Sequence, residues 1–277
     1  MPLLKPSHMK RILLAIILAM PIFSFAQTPP IEPGVSLELA KWRAAHYSDV
    51  RYKLNLTLEK MSPVLKGTIE IRVKLSEPGA VATGFSVPII LDWRKLKGYE
   101  ERSTISNVSV NGQAAAVQNH PVAEAATPLH GKEGSLVYQE QAEHLIFRDG
   151  VVEGENVIKL DFTSPILTSG SAITRYVDKE DGSEYIYSLF VPSDASTAFP
   201  VFDQPNLKAA ISLSVLAPSD WTVVSTGTAS TEAAGNGAML WRFSKTPPLS
   251  TYVFSLHAGP YRIWQDDADG VPIRLMA

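Results

Sequence analysis

Hydrophobic and polar residues alternate one by one along much of this chain. In "DVRYKLNLTLEK", Val50, Tyr52, Leu54, Leu56 and Leu58 alternate with Arg51, Lys53, Asn55, Thr57 and Glu59. Successive side chains of an extended backbone leave by opposite faces, so this period predicts a half-buried strand with one wet face. "KGTIEIRVKLSEPG" repeats the pattern with Ile69, Ile71, Val73 and Leu75 inward, and Ser62-Pro63 opens the connection, so the two strands are expected to pair as a hairpin. The same reading gives strands in "STISNVSV", "HLIFRD", "NVIKLDF", "EYIYSLF", "AISLSVLAP", "WTVVST", "AMLWRFS", "TYVFSLHAG" and "VPIRLMA", with the pair Asn111-Gly112 as a turn. About ten strands with few helices predict an all-β fold, a large antiparallel sheet or a sandwich of sheets.

Two stretches break the period. "VSLELAKWRAAHYS", Val35 to Ser48, predicts a short lead helix with Leu37, Leu39 and Trp42 near one face, tethered to the main domain behind the proline-rich "QTPPIEPG". The segment from Gln113 to Gln141 has weak periodicity and is expected to be a long insertion between strands. At the N-terminus, Lys10 and Arg11 precede an apolar run from Ile12 to Phe25, and Ser24-Phe25-Ala26 is a small-x-small cleavage signal. The run is shorter than the roughly 20 apolar residues of a spanning helix, so a cleaved signal peptide is expected. The expected organisation is 1–26 signal peptide, 27–47 linker and short helix, and 48–277 β domain, in a periplasmic or secreted protein with no membrane association after cleavage.

Composition removes several function classes. With 277 residues, 45% of them hydrophobic, the chain can bury one sizeable core, and a formal charge of -3 offers no basic face to nucleic acid. It has no cysteine, so neither disulfides nor a lipid-bearing cysteine are available. No two of the six histidines stand three to five residues apart as a helical metal pair requires. His257 lies opposite Phe254 and Leu256 in its strand and reads as a rim histidine. No Gly-x-Ser-x-Gly run exists, and Gly235 to Gly237 sits in a hairpin loop rather than before a helix. "DKEDGSE", Asp178 to Glu184, reads as a turn before it reads as a calcium loop. Asn55 and Asn107 match the glycosylation pattern, but their place in or beside strands predicts burial.

The block from Arg175 to Gly227 carries the most information. In "FPVFDQPNLKAAISLSV", Asp203 is expected to accept backbone N–H groups of its own turn while Pro205 fixes the chain direction. Phe199 and Phe202 can pin the loop to the core, and Lys208 stands where it could pair with Asp203 or a neighbouring carboxylate. Tyr185-Ile186-Tyr187, "FPVFDQPNLKA", Trp221-Thr222-Val223, "TPPLSTYVFSLHAGPY" and "GVPIRL", in this order, resemble the N-terminal domain of the aminopeptidase N family of zinc metallopeptidases, relatives of leukotriene A4 hydrolase. The resemblance covers roughly Ser48 to Ala277.

That resemblance implies a saddle-shaped β domain packed, in the whole enzyme, on a thermolysin-like catalytic domain that acts on peptides. The family's zinc site, H-E-x-x-H with a downstream glutamate, and its G-x-M-E-N-type segment do not occur in this sequence. The resemblance therefore implies no cofactor in this chain, zinc in the catalytic domain outside it, and no peptidase activity from this chain alone. In many members the strand matching Tyr187 to Val191 reads Y-T-Q-F-E, whose glutamine and glutamate hold the substrate's amino terminus. Here those positions are Leu189 and Val191, which cannot accept hydrogen bonds from an ammonium group. Two readings stay open for this pair, an apolar wall for the first substrate side chain and plain buried strand residues. The family's Asp-Ala-Arg run is here Asp194-Ala195-Ser196. A different class of function, a secreted β-sandwich binding module, predicts a surface free of large apolar patches, whereas a domain built to pack on a partner predicts such a patch.

Overall fold

The computed structural model describes residues 28–76, 87–118 and 136–277. The basic and apolar leader lies outside them, as do residues 119–135 of the weakly periodic segment. Helix α1 (Leu37–His46) begins where Ser36 Oγ accepts the Leu39 N–H at 3.1 Å and ends as Tyr47 turns extended. Its buried face is Leu39, Trp42, Arg43 and His46, residues spaced three and four apart. Leu37 was expected on that face but is 69% exposed. Two positions before Leu39 correspond to about 200° of helical rotation, which puts Leu37 on the opposite side.

The strands follow as β1 (Tyr47–Thr57), β2 (Val64–Leu75), β3 (Ile89–Asp92), β4 (Thr104–Val110), β5 (Gln113–Val117), β6 (Leu136–Gln141), β7 (His144–Phe147), β8 (Gly154–Pro165) and β9 (Ile173–Val177). After them come β10 (Glu184–Ser188), β11 (Ala209–Pro218), β12 (Thr222–Ser225), β13 (Ala229–Gly235), β14 (Ala238–Phe243), β15 (Leu256–Gly259), β16 (Ile263–Ala268) and β17 (Val271–Met276). One sheet of eleven strands runs β13-β14-β11-β1-β2-β8-β4-β5-β6-β7-β3, and a second runs β12-β15-β10-β9. Residues of both sheets, among them Leu54, Ile71 and Leu160 of the first and Ile186, Val223 and Leu256 of the second, share one hydrophobic core.

The period of two is realised residue by residue: Val50, Tyr52, Leu54, Leu56 and Leu58 are all buried, as are Ile69, Ile71, Val73 and Leu75. β1 and β2 pair antiparallel as the expected hairpin. Gly67 sits where β2 is squeezed between its neighbours, since an added Cβ would meet the Phe162 ring at 2.5 Å. Asn111 and Gly112, with φ of 52° and 85°, turn β4 into β5. The sheet is nonetheless mixed rather than wholly antiparallel, because β1 pairs parallel to β11 and β5 parallel to β6. In the register Tyr52↔Ile211, Leu54↔Leu213 and Leu56↔Val215 both strands place their apolar residues on the same face at the same heights. β5 and β6 stand at the two ends of the stretch expected to be an insertion.

The ends of the large sheet differ. At β3, Asp92 and Val201 exchange backbone hydrogen bonds of 2.7 and 3.1 Å, which covers that edge. At β13 every residue is exposed. Among the described residues the β16–β17 hairpin pairs only with itself, and it leaves Ile263, Trp264, Val271, Ile273 and Leu275 exposed. No described helix is long and apolar enough to cross a membrane.

Candidate functional site

β10 ends at Ser188, and the chain continues through Leu189, Phe190 and Val191 into a cis bond to Pro192. The alternation persists for these residues. Phe190 is buried, stacking on Phe254 with ring centroids 6.1 Å apart and meeting Phe199 edge-on at 5.7 Å. Its neighbours therefore face outward, Leu189 58% and Val191 53% exposed. The reading of this pair as plain buried strand residues is thereby removed: both side chains are exposed. The backbone beneath is fixed, with the Leu189 N–H donating to Ala172 O at 2.8 Å and Ser188 Oγ accepting the Leu256 N–H at 2.8 Å. The stacking of Phe254 on Phe190 draws the short 3-10 turn Thr251–Val253 to the same edge, where Tyr252 and Val253 are exposed. Tyr187 adds a partly exposed ring. The result is an apolar rim on a rigid support.

Behind the rim lies a buried polar cluster. Phe199 and Phe202 are buried as expected, and Phe202 also lies under the Arg43 guanidinium at 5.6 Å. Asp203 does accept a backbone N–H, but from Ser196 at 3.0 Å rather than from its own turn, and its other oxygen accepts the Thr251 hydroxyl at 2.8 Å. Lys208 is exposed and is not a partner of Asp203. The cation of this cluster is Arg43 of α1, fully buried, whose two terminal nitrogens donate to Asp92 at 2.6 and 2.9 Å. Asp92 also accepts the Asp203 N–H at 2.7 Å, and His144 Nδ1 lies 2.9 Å from its other oxygen.

The two carboxylates respond oppositely to this setting. Burial raises Asp203, its donors being neutral groups that offset only part of that cost, and the nearby Asp92 charge raises it further. Burial acts on Asp92 in the same direction, yet the Arg43 charge, the His144 contact and the Asp203 N–H outweigh it and hold this carboxyl below the ordinary range. Tyr47 and Tyr52, buried beside the cluster, are pushed up by desolvation and donate or accept as neutral phenols: Tyr47 to Pro88 O at 2.6 Å, Tyr52 from the Phe202 N–H at 3.0 Å.

The remaining candidates are structural. "DKEDGSE" is a turn between β9 and β10, closed by Gly182 N–H to Asp178 O at 3.0 Å, with the Asp178 and Asp181 carboxylates accepting the Glu180 and Ser183 N–H groups. His257 on β15 pairs between Tyr187 and Val224, half-buried, and burial lowers its basicity. Asn107 is exposed, contrary to expectation, because it occupies a bulge at φ 50° in β4 and its amide donates to Asp161 at 2.6 Å. Among the described residues no three His, Asp or Glu side chains gather as a metal would require. The Asp92–His144 pair does not fit zinc either, since Arg43 already takes both oxygens of Asp92.

A family model described as the Peptidase M1 N-terminal domain matches residues 48–253. Aminopeptidase N of Streptomyces lividans is 34% identical over 128 residues, 45% of this chain and 14% of that protein. Aminopeptidase N of Acetobacter pasteurianus is 28% identical over 211 residues, 71% of this chain and 57% of that protein. Glutamyl aminopeptidase of Sus scrofa is 29% identical over 135 residues, 46% of this chain and 14% of that protein. In each case the matched stretch spans less than two thirds of the relative's length.

Proposed function

This chain belongs to the M1 peptidase family by way of its N-terminal domain, and on that premise we propose that it covers the substrate cleft of an exported zinc aminopeptidase. In this reading a catalytic domain carries the zinc, which when bound polarises a carbonyl and activates water. This chain holds the peptide and excludes solvent, and has no peptidase activity of its own. Leu189 and Val191 form an apolar wall for the first side chain of the peptide. The observation that carries the proposal is their outward exposure on either side of the buried Phe190, at the end of a strand anchored on both sides.

The basic start and apolar run at the N-terminus support export to the periplasm or beyond. The exposed apolar residues of β16–β17 favour a domain that seats on a partner over a free-standing binding module, since a two-stranded hairpin packed on nothing is marginal in water. The test uses the intact gene product and amino acid anilides. Leu189→Gln and Val191→Glu should raise KM for apolar first residues by about tenfold, the factor that roughly one buried side-chain contact commands. Unchanged KM in both variants would remove the wall.

A further inference from the structure

The turn between β6 and β7 holds the segment that leads into α1. Ala142 and Glu143 adopt φ of 46° and 66°, which aims Glu143 and His144 at residues 32–34. Glu143 Oε2 accepts the Gly34 N–H at 2.9 Å. His144 Nε2 lies 2.9 Å from Glu32 O and 3.0 Å from Gly34 O, and since carbonyls only accept, this nitrogen is the donor. On its other side the same buried ring meets Asp92. From Asp92 the contacts continue through the Asp203 N–H and the Asp203 carboxylate to the Ser196 N–H. The Ser196 carbonyl accepts the Arg94 N–H at 3.0 Å, and the Arg94 side chain pairs with Asp194. Gly34, Val35, Asp92, His144, Ser196 and Asp203 are among the residues that line a small cleft of about 50 Å³.

We propose that His144 is a positioning residue that clips the strap of residues 28–36 to the loop segment 194–197, so that seating of the strap sets the rigidity of that segment, whose Asp194 N–H donates to Phe190 O at 3.0 Å beneath the rim. The rim's role rests on the reading given under Proposed function; the coupling does not. Ile31 packs on the core from the strap side, so the strap has two attachments, one apolar and one polar. Loosening either one releases Gly34 from the cleft and leaves Asp92 and Asp203 to rearrange beside the loop.

Hydrogen exchange on the whole chain tests this with two variants, His144→Leu and Ile31→Asp. Both should speed exchange at the Asp194, Ser196 and Thr197 amides by about tenfold, the factor of one net hydrogen bond, while the centres of β2 and β8 stay protected. A strap that is freed in Ile31→Asp without change at residues 194–197 would overturn the coupling. Loss of protection in β2 and β8 on His144→Leu would assign His144 to the core and overturn it as well. If the loop loosens but turnover of anilides by the intact protein does not change, the coupling stands and the peptide-wall reading falls.

Discussion

The rim at Leu189–Val191 and the corner at Phe199–Gln204 are neighbours in one loop, yet they carry opposite kinds of information. The corner is buried throughout, and its polar atoms meet partners from α1, β3 and the turn at Thr251. Its sequence is therefore constrained by packing. The rim puts two of its three side chains into solvent, where the fold tolerates many residues. The family resemblance lies in the first region, and the proposed peptide wall in the second.

Substitutions separate the two regions by stability. Asp92→Ala leaves Arg43 buried and unpaired, and should cost about 3–5 kcal/mol in urea denaturation. Phe190→Ala removes the ring that joins rim to corner, and a loss near 3 kcal/mol is expected for a large buried aromatic. A loss below about 1 kcal/mol there would mean that the rim stands without this support. Asp203→Asn keeps the shape and should cost about 1 kcal/mol. Leu189→Ser and Val191→Ser should each stay within about 0.5 kcal/mol, the range of ordinary surface changes.

Titration sharpens the same contrast inside the corner. Asp203 is raised in the folded state, so its contribution is fully present below the unfolded carboxylate value and is lost as pH rises through the folded one. Asp92 is lowered, so its contribution is present above the unfolded value and is lost as pH falls through the folded one. Relative to the parent chain, Asp203→Asn should gain stability as pH rises from acid to neutral, while the penalty of Asp92→Ala should shrink towards acid pH. Denaturation curves at several pH values read both slopes, and equal slopes would contradict the split between the two carboxylates.

Strand positions were legible in the sequence because alternation is a local signal: Tyr52, Leu54 and Leu56 announce their face without any knowledge of their partners. The parallel pairing of β1 with β11 was not, since alternation says nothing of direction and the partner lies far along the chain. The polar cluster escaped for a related reason. Arg43 in "AKWRAAH" finds its partner in Asp92, 49 positions away along the chain. A clue was present in "IILDW", where a lone carboxylate inside an apolar run demands a partner. Likewise His144 opens "HLIF", an otherwise apolar strand buried at all four positions. The outward turn of Leu37 could have been read from its spacing to Leu39.

The parallel neighbour of β1 also governs the order in which the chain can complete itself. β1 gains β2 as soon as the first hairpin closes, but its other edge has no partner until residues 209–218 have been made. During that interval the middle of the future sheet is an open edge backed by apolar side chains, the arrangement most prone to pair with another chain. Shortening the protein anywhere before Ala209 would make that interval permanent. A chain that ends there should aggregate through β1, whereas loss of β16–β17 should leave the eleven-stranded sheet complete and the chain in solution.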